Sequence, residues 1–131
     1  MKNTIHILLV EDDADDVELL QIAFTDKNVN ARFTVLSQGD KVLPHLSSDP
    51  AEPDIILLDL NLPKMHGKEI LQAVKSHSRF ARIPVVMLTT SSAQTDRDFC
   101  MNAGAANYFV KPILLEDYYH MVGYIVEMAG Q

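Results

Sequence analysis

A second cysteine is the first thing this sequence lacks. Cys100 stands alone, so no intramolecular disulfide framework can form, and a lone thiol fits a reducing compartment in which it serves as a small buried hydrophobe. Basic residues are scarce as well: 11 Lys and Arg, scattered along the chain, stand against 18 Asp and Glu, for a net charge of −7. Binding to a phosphate backbone needs clustered cations, so direct DNA binding is not expected. No long hydrophobic run is present. The first apolar stretch, IHILLV, is short and leads straight into acids, so neither a signal peptide nor a membrane span is expected, and the protein is placed in the cytoplasm. No repeat or low-complexity linker interrupts the 131 residues, which suit one domain burying about two thirds of the surface its unfolded form exposes.

What is present is an alternation. TIHILLV (4 to 10), ARFTVLS (31 to 37), DIILLD (54 to 59), IPVVMLTT (83 to 90) and ANYFV (106 to 110) read as five strands, three of them apolar enough for a sheet covered on both faces. Between them, apolar residues recur at helical spacing: Val17, Leu20 and Phe24; Val42 and Leu46; Ile70 and Val74. The last segment carries the longest stripe, Leu115, Tyr118, Tyr119, Val122, Val126 and Ala129. Ser91 followed by Gln94 matches a capping box opening the fourth helix, and Gly104 falls where that helix should stop. Strands and helices in strict alternation predict an α/β fold, a parallel sheet with five helices on its two faces.

In such sheets ligands bind beyond the carboxyl ends of the strands. That edge collects polar residues here: Glu11, Asp12 and Asp13 after strand one, Asp59 at the end of strand three, Thr89 and Thr90 at the end of strand four, and Lys111 after strand five. Charge constrains what such a cluster can be. Two carboxylates about 4 Å apart repel by roughly 4 kcal/mol at an effective dielectric near 20, so cations must sit among them. Lys111 supplies one positive charge. A hard divalent ion held by carboxylates, a backbone carbonyl and waters supplies the rest, and Mg²⁺ prefers such sparse oxygen sites. A Mg²⁺ ion and a lysine beside an aspartate also make a place where phosphoryl oxygens are neutralised and where the carboxylate can act as nucleophile.

The acids after ILLV, Asp59 in LLDLNLP, Thr89 in VVMLTTS and Lys111-Pro112 in YFVKP together resemble the receiver domain of bacterial two-component response regulators. Thirty positions separate Asp59 from Thr89 and fifty-two separate it from Lys111, the spacings typical of that family. The resemblance covers essentially the whole chain and implies a single receiver domain over 1–131 with no output domain. Its fold would be the flavodoxin-like, doubly wound sheet of order 2-1-3-4-5, which puts Asp59 between the acids and the threonines. By the same resemblance Asp59 is the phosphoacceptor for a histidine kinase. Asp12 and Asp59 would touch Mg²⁺ directly, Glu11 would act mainly through water, and the Asn61 backbone carbonyl would complete the protein ligands. Lys111 and the Thr89 hydroxyl would each bind a phosphoryl oxygen, Tyr108 would follow Thr89 by changing rotamer, and Asn61 and Ser91 would tune dephosphorylation. Pro112 matches a proline often preceded by a cis peptide bond that aims Lys111.

Further implications follow from that likeness. A phosphoryl group would draw Thr89 and Lys111 inward, let Tyr108 turn in, and shift the face built from helix four, strand five and helix five. The output would be a downstream protein or a phosphotransfer partner. VEDDADDVELL, DLNLPKMHGKEI and VVMLTTSSAQTD also resemble stand-alone regulators paired with bacterial phytochrome-type histidine kinases, implying a light-sensing kinase as partner. Homodimerisation through the helix-four to helix-five face is common in such regulators, and Phe109 and Tyr124 would serve it, unless they are core. Such a domain is a switch rather than an enzyme.

The remaining features have plainer readings. Asp13, Asp15 and Asp16 read as the negative first turn of a helix. His66, in the Met65-His66-Gly67 turn, stands where the family commonly has an acidic or polar residue and reads as surface-exposed, or as a group that tunes hydrolysis of the phosphoryl. A phosphatase of the haloacid dehalogenase type wants a second Asp two residues after the nucleophile, where this chain has Asn61. A pseudo-receiver that binds partners without phosphorylation normally lacks an acid, the Asp or the Lys, all present here. EDDADD lacks the glycine and final glutamate of a calcium-binding EF-hand loop.

Overall fold

Period-two alternation along three strands fixes the architecture. In β1 (Ile5–Val10), β3 (Ile55–Leu58) and β4 (Val85–Thr89) every residue is buried, so each strand needs cover on both faces. Leu8, Val10, Ile56, Leu58, Val85 and Met87 point into one core; their neighbours Ile7, Leu9, Ile55, Leu57, Val86 and Leu88 point into the other. The first core is closed by α2 (Val42–Ser48, entered through a 3₁₀ turn at Gly39–Lys41), α3 (Gly67–Ser76) and α4 (Gln94–Asn102), through Leu46, Ile70, Val74 and Cys100. The second is closed by α1 (Ala14–Asp26) and α5 (Leu115–Ala129), through Leu20, Phe24, Tyr118, Val122 and Ile125. β2 (Ala31–Leu36) and β5 (Asn107–Val110) are edge strands and are only partly buried. These elements come from a computed structural model that describes residues 4–48 and 52–130.

All four strand pairings are parallel, and the order is β2-β1-β3-β4-β5, as the resemblance implied. The registers Val10 to Leu58, Leu58 to Met87 and Thr89 to Val110 bring the strand ends level. The residues that follow, Glu11, Asp59 and Lys111, therefore emerge on one edge. The five strands read from the sequence hold to within two residues at each end. Of the stripe residues, Val17, Leu115, Tyr119 and Val126 are only half-buried, while Met121 and Ile125, outside the α5 stripe as read, are core. Cys100 is fully buried, and burial pushes its thiol pKa up.

The capping box is corrected. The N-cap of α4 is Ala93, two residues after Ser91, and it makes no side-chain cap. The Ser91 hydroxyl accepts from Ala93 N at 3.3 Å, ahead of the helix, and donates to the Asp96 carboxylate at 2.6 Å in a charge-assisted bond. Gly104 does stop the helix region, at φ +107, a conformation that favours glycine.

Leu57 reports on this packing. Its side chain is fully enclosed in the α1/α5 core, so Leu57→Ala should lower stability by about 2.5–5 kcal/mol. The expected observation is a lower urea midpoint with an unchanged m value; an unmoved midpoint would mean that this face is not packed as described.

Candidate functional site

Three strand ends deliver the charged groups. Glu11 and Asp12 leave β1, Asp59 leaves β3, and Lys111 leaves β5, aligned by the sheet-type bond from its amide to Thr89 O at 2.7 Å. Among the described residues, Glu11, Asp12 and Asp59 present carboxylate oxygens that lie within 4.8 Å of one another. Asp12 is exposed while Glu11 and Asp59 are buried, so the cluster has a wet side and a dry side. Lys111 fills the dry side: its Nζ lies 2.7 Å from Glu11 Oε1, 2.7 Å from Asp16 Oδ2 and 3.2 Å from Asp59 Oδ2.

Backbone amides orient two of the acids. Leu60 N donates to Asp59 Oδ1 at 2.7 Å, leaving Oδ2 for Lys111. Asp13 N donates to Glu11 Oε2 at 3.1 Å, leaving Oε1. Burial pushes the Glu11 carboxyl up to about 7 against the pull of Lys111, and the Asp59 charge adds to the rise. Burial also works against the Lys111 ammonium, but its contacts with Asp16 and Glu11 and the field of Asp59 hold its pKa above the ordinary lysine value. Neighbouring oxygens from hard carboxylates, one side open to water, form a donor set that fits Mg²⁺.

The loop after Asp59 is pinned by two glycines. Gly67 N donates to Leu60 O at 2.8 Å, and a Cβ there would strike Asp59 O and lie 2.6 Å from Leu60 Cα. Gly39 N donates to Pro63 O at 3.0 Å, and a Cβ there would strike Met65 O. Inside the same loop Lys64 adopts φ 74, uncommon for a side-chain-bearing residue. Asn61 is exposed in this loop, immediately beside the acids. His66 is half-buried rather than exposed: it is the N-cap of α3, and its Nδ1 accepts from Lys68 N at 3.2 Å.

Thr89 is fully buried at the end of β4, and its hydroxyl oxygen accepts from Ser91 N at 3.4 Å rather than meeting the carboxylates. Tyr108, expected to turn in upon switching, is already inside: it is 2 % exposed, and its hydroxyl donates to Ser91 O at 2.8 Å. Arg97 holds it there, stacking over the ring at 5.4 Å and donating to its carbonyl at 3.2 Å. No peptide bond among the described residues is cis, so the expected isomer before Pro112 is absent; Lys111 is aimed by its β-ladder bond. Asp13 and Asp15 behave as expected, Asp13 as the N-cap of α1. Asp16 does not, because it reaches Lys111. Its sequence signal was its position four residues before Leu20 and eight before Phe24, on the core-facing stripe of α1.

A family model described as the response regulator receiver domain matches residues 7–123. The response regulator Rcp1 of Synechocystis is 35 % identical over 121 residues, covering 88 % of this chain and 82 % of its own. The probable methanogenesis regulatory protein FilR2 of Methanothrix harundinacea is 36 % identical over 115 residues, covering 85 % of this chain and 74 % of its own. The phosphorylated cyanobacterial phytochrome response regulator RcpA superposes with a TM-score of 0.87 at 32 % identity, over 98 % of this chain and 95 % of its own. The Mn²⁺-bound form of Rcp1 superposes at 0.83, with 34 % identity, over 94 % of this chain and 92 % of its own. No helix among the described residues is long and apolar enough to cross a membrane.

Gly67 is where the site depends on the fold most directly. Gly67→Ala should displace the Asp59–Leu60 backbone and cost about 1–3 kcal/mol as an overpacked position. The check is a urea midpoint together with the amide shifts of Asp59 and Leu60. A variant with parent-like stability and shifts would show that α3 does not press on the site.

Proposed function

The chain belongs to the response regulator receiver family, generally signalling switches rather than catalytic enzymes, and from that premise we propose that Asp59 is its phosphoacceptor. The observation that carries this reading is the Lys111 ammonium held among Asp59, Glu11 and Asp16 beside three converging carboxylates. An Asp59 oxygen attacks phosphorus as the bond from phosphorus to the donor breaks; the donor, a phosphohistidine imidazole of a kinase or the acetate of acetyl phosphate, leaves with the electron pair. Mg²⁺, when bound by Asp12, Asp59 and the Asn61 carbonyl with Glu11 acting through water, supplies charge neutralisation at the transferring group. Lys111 pairs with one phosphoryl oxygen. Hydrolysis reverses the loading: water attacks phosphorus and the Asp59 carboxylate leaves, at a rate tuned by Asn61 and Ser91.

The switch follows from the bonds that Thr89 and Tyr108 share. Both attach to Ser91, one through its amide and one through its carbonyl. When Thr89 turns its hydroxyl toward a phosphoryl oxygen, Ser91 N loses its acceptor and the peptide holding Tyr108 moves. Loading adds roughly −1.5 to −2 charge, so it biases an equilibrium between two arrangements of the α4, β5 and α5 face. Since RcpA is a phytochrome response regulator, a bacterial phytochrome-type histidine kinase is the proposed partner. The output is a downstream protein or a phosphotransfer partner met in the cytoplasm, with a homodimer through the α4–α5 face as one form. Phe109 and Tyr124, half-buried and edge-to-face with centroids 5.3 Å apart, lie there.

Intact mass after incubation with acetyl phosphate and Mg²⁺ tests the chemistry. The parent should gain one phosphoryl group, and neither metal-free protein nor Asp59→Asn should. No gain under conditions that load a known receiver would leave the pseudo-receiver alternative, a binding module independent of phosphorylation. The switch is tested separately. Thr89→Ala should still load but lose most of the loading-dependent NMR shift of the Tyr108 ring; a full shift would sink the Ser91 linkage.

A further inference from the structure

An ammonium group has three protons to donate, and Lys111 faces three carboxylates with them. The contacts are not equivalent. Glu11 and Asp16 hold Nζ at 2.7 Å each, whereas Asp59 lies at 3.2 Å. Glu11 and Asp59 also face the proposed metal, and Asp59 is the group to be esterified. Asp16 has neither duty: it sits in the first turn of α1, and its carboxylate oxygens are outside the converging set of Glu11, Asp12 and Asp59. We infer that Asp16 is the positioning residue of the phosphoryl site, the anchor that keeps the Lys111 ammonium aimed at Asp59 when its other two partners are taken over by metal and phosphoryl group. This rests on Asp59 being the phosphoacceptor.

Only 8 % of the Lys111 side chain is exposed, so water cannot replace lost partners freely. If a divalent ion draws Glu11 and Asp59, two of the three ion pairs weaken together. Phosphorylation then makes Asp59 an acyl phosphate, whose negative charge lies on the phosphoryl oxygens rather than on the carboxylate. Asp16 keeps its charge and its place throughout, because α1 is fixed independently by Leu20, Ala23 and Phe24 in the core. The protons released by Glu11 and Asp59 are then free to meet phosphoryl oxygens at a defined position, the orientation on which effective transfer depends.

A contrary effect has to be weighed. Asp16 is also a negative charge near an incoming anion, and its removal should ease the approach of a phosphoryl donor. Its side chain is 25 % exposed and the ammonium lies directly against it, so its outward field is reduced by solvent and by its own partner. Loss of positioning therefore outweighs loss of repulsion, and replacing Asp16 slows loading.

The test uses the full chain, acetyl phosphate with Mg²⁺, and intact mass followed over time. Asp16→Ala should load about tenfold more slowly than the parent. Asp16→Asn keeps an acceptor oxygen at the same place and should recover part of the rate. A general loss of structure is separated by a double-mutant comparison: in a Lys111→Met background, Asp16→Ala should have no further effect on the residual rate. Urea midpoints of all variants accompany the rates. Parent-like loading of Asp16→Ala, or an equal slowing with and without Lys111, would overturn the inference. Failure of the parent itself to load would instead overturn the assignment of Asp59.

Discussion

One ammonium group among four carboxylates is the interaction on which the rest of the site depends. Glu11, Asp12, Asp16 and Asp59 are brought to one corner of the sheet, and Lys111 touches three of them. Unpaired, two such acids about 4 Å apart would repel by roughly 4 kcal/mol at an effective dielectric near 20. Lys111 relieves part of this and is held strongly for it. The remainder is visible at Glu11, whose carboxyl is driven up to about 7 by burial and by the Asp59 charge despite its lysine. A site with surplus negative charge on its open side and a buried lysine on its closed side is asymmetric in a useful way. Cations are attracted from solvent at Asp12, and an anion brought in with them meets a positive charge already in place.

That asymmetry is affordable only because the sheet below it is over-determined. β1, β3 and β4 bury both faces, so a slip of one residue would exchange the α1/α5 core for the α2/α3/α4 core along a whole strand. Register is thereby locked, and with it the level at which Glu11, Asp59 and Lys111 emerge. The two glycines extend this order past the strand ends. Gly67 brings α3 onto the Asp59–Leu60 backbone, and Gly39 brings the start of α2 onto the Met65 carbonyl. The loop that carries Asn61 is consequently clamped from two helices, even though Asn61 itself is exposed.

The sequence revealed what is local and concealed what is long-range. Apolar runs made the five strands legible, and their final polar residues marked the functional edge. The strand order came from family resemblance, because hydrophobic pattern alone does not say which buried strand lies beside which. Asp16 was hidden because neighbouring acids all suit the start of a helix, and although the stripe of α1 turns Asp16 inward, nothing in that stripe names the group it meets. Its partner is ninety-five positions away. Ser91 misled in the same manner, since its spacing to Gln94 suits a cap but its hydroxyl accepts from Ala93 N, ahead of the helix, and donates to Asp96. The inward position of Tyr108 is likewise set by its contacts with Ser91 and Arg97, which have no signature in composition or period.

On the proposed function, the same contacts would carry a change of charge at Asp59 outward without a large rearrangement. Thr89 is fully enclosed, so its hydroxyl can turn only by exchanging one partner for another. The exchange acts on Ser91, which also binds Asp96 through its side chain and Tyr108 through its carbonyl. Asp96 in turn pairs with Lys68 on α3 at 2.6 Å, and Lys68 lies over the Phe99 ring. One residue just past β4, Ser91, therefore ties α3, α4 and β5 together. The outermost of these ties is partly solvated, and exposed ion pairs contribute little net stability, so it can be traded without unfolding the face. The innermost is a long bond of 3.4 Å, the weakest in the chain of contacts. On the proposed function, a network with replaceable ties at both ends is one whose arrangement a single phosphoryl group could bias.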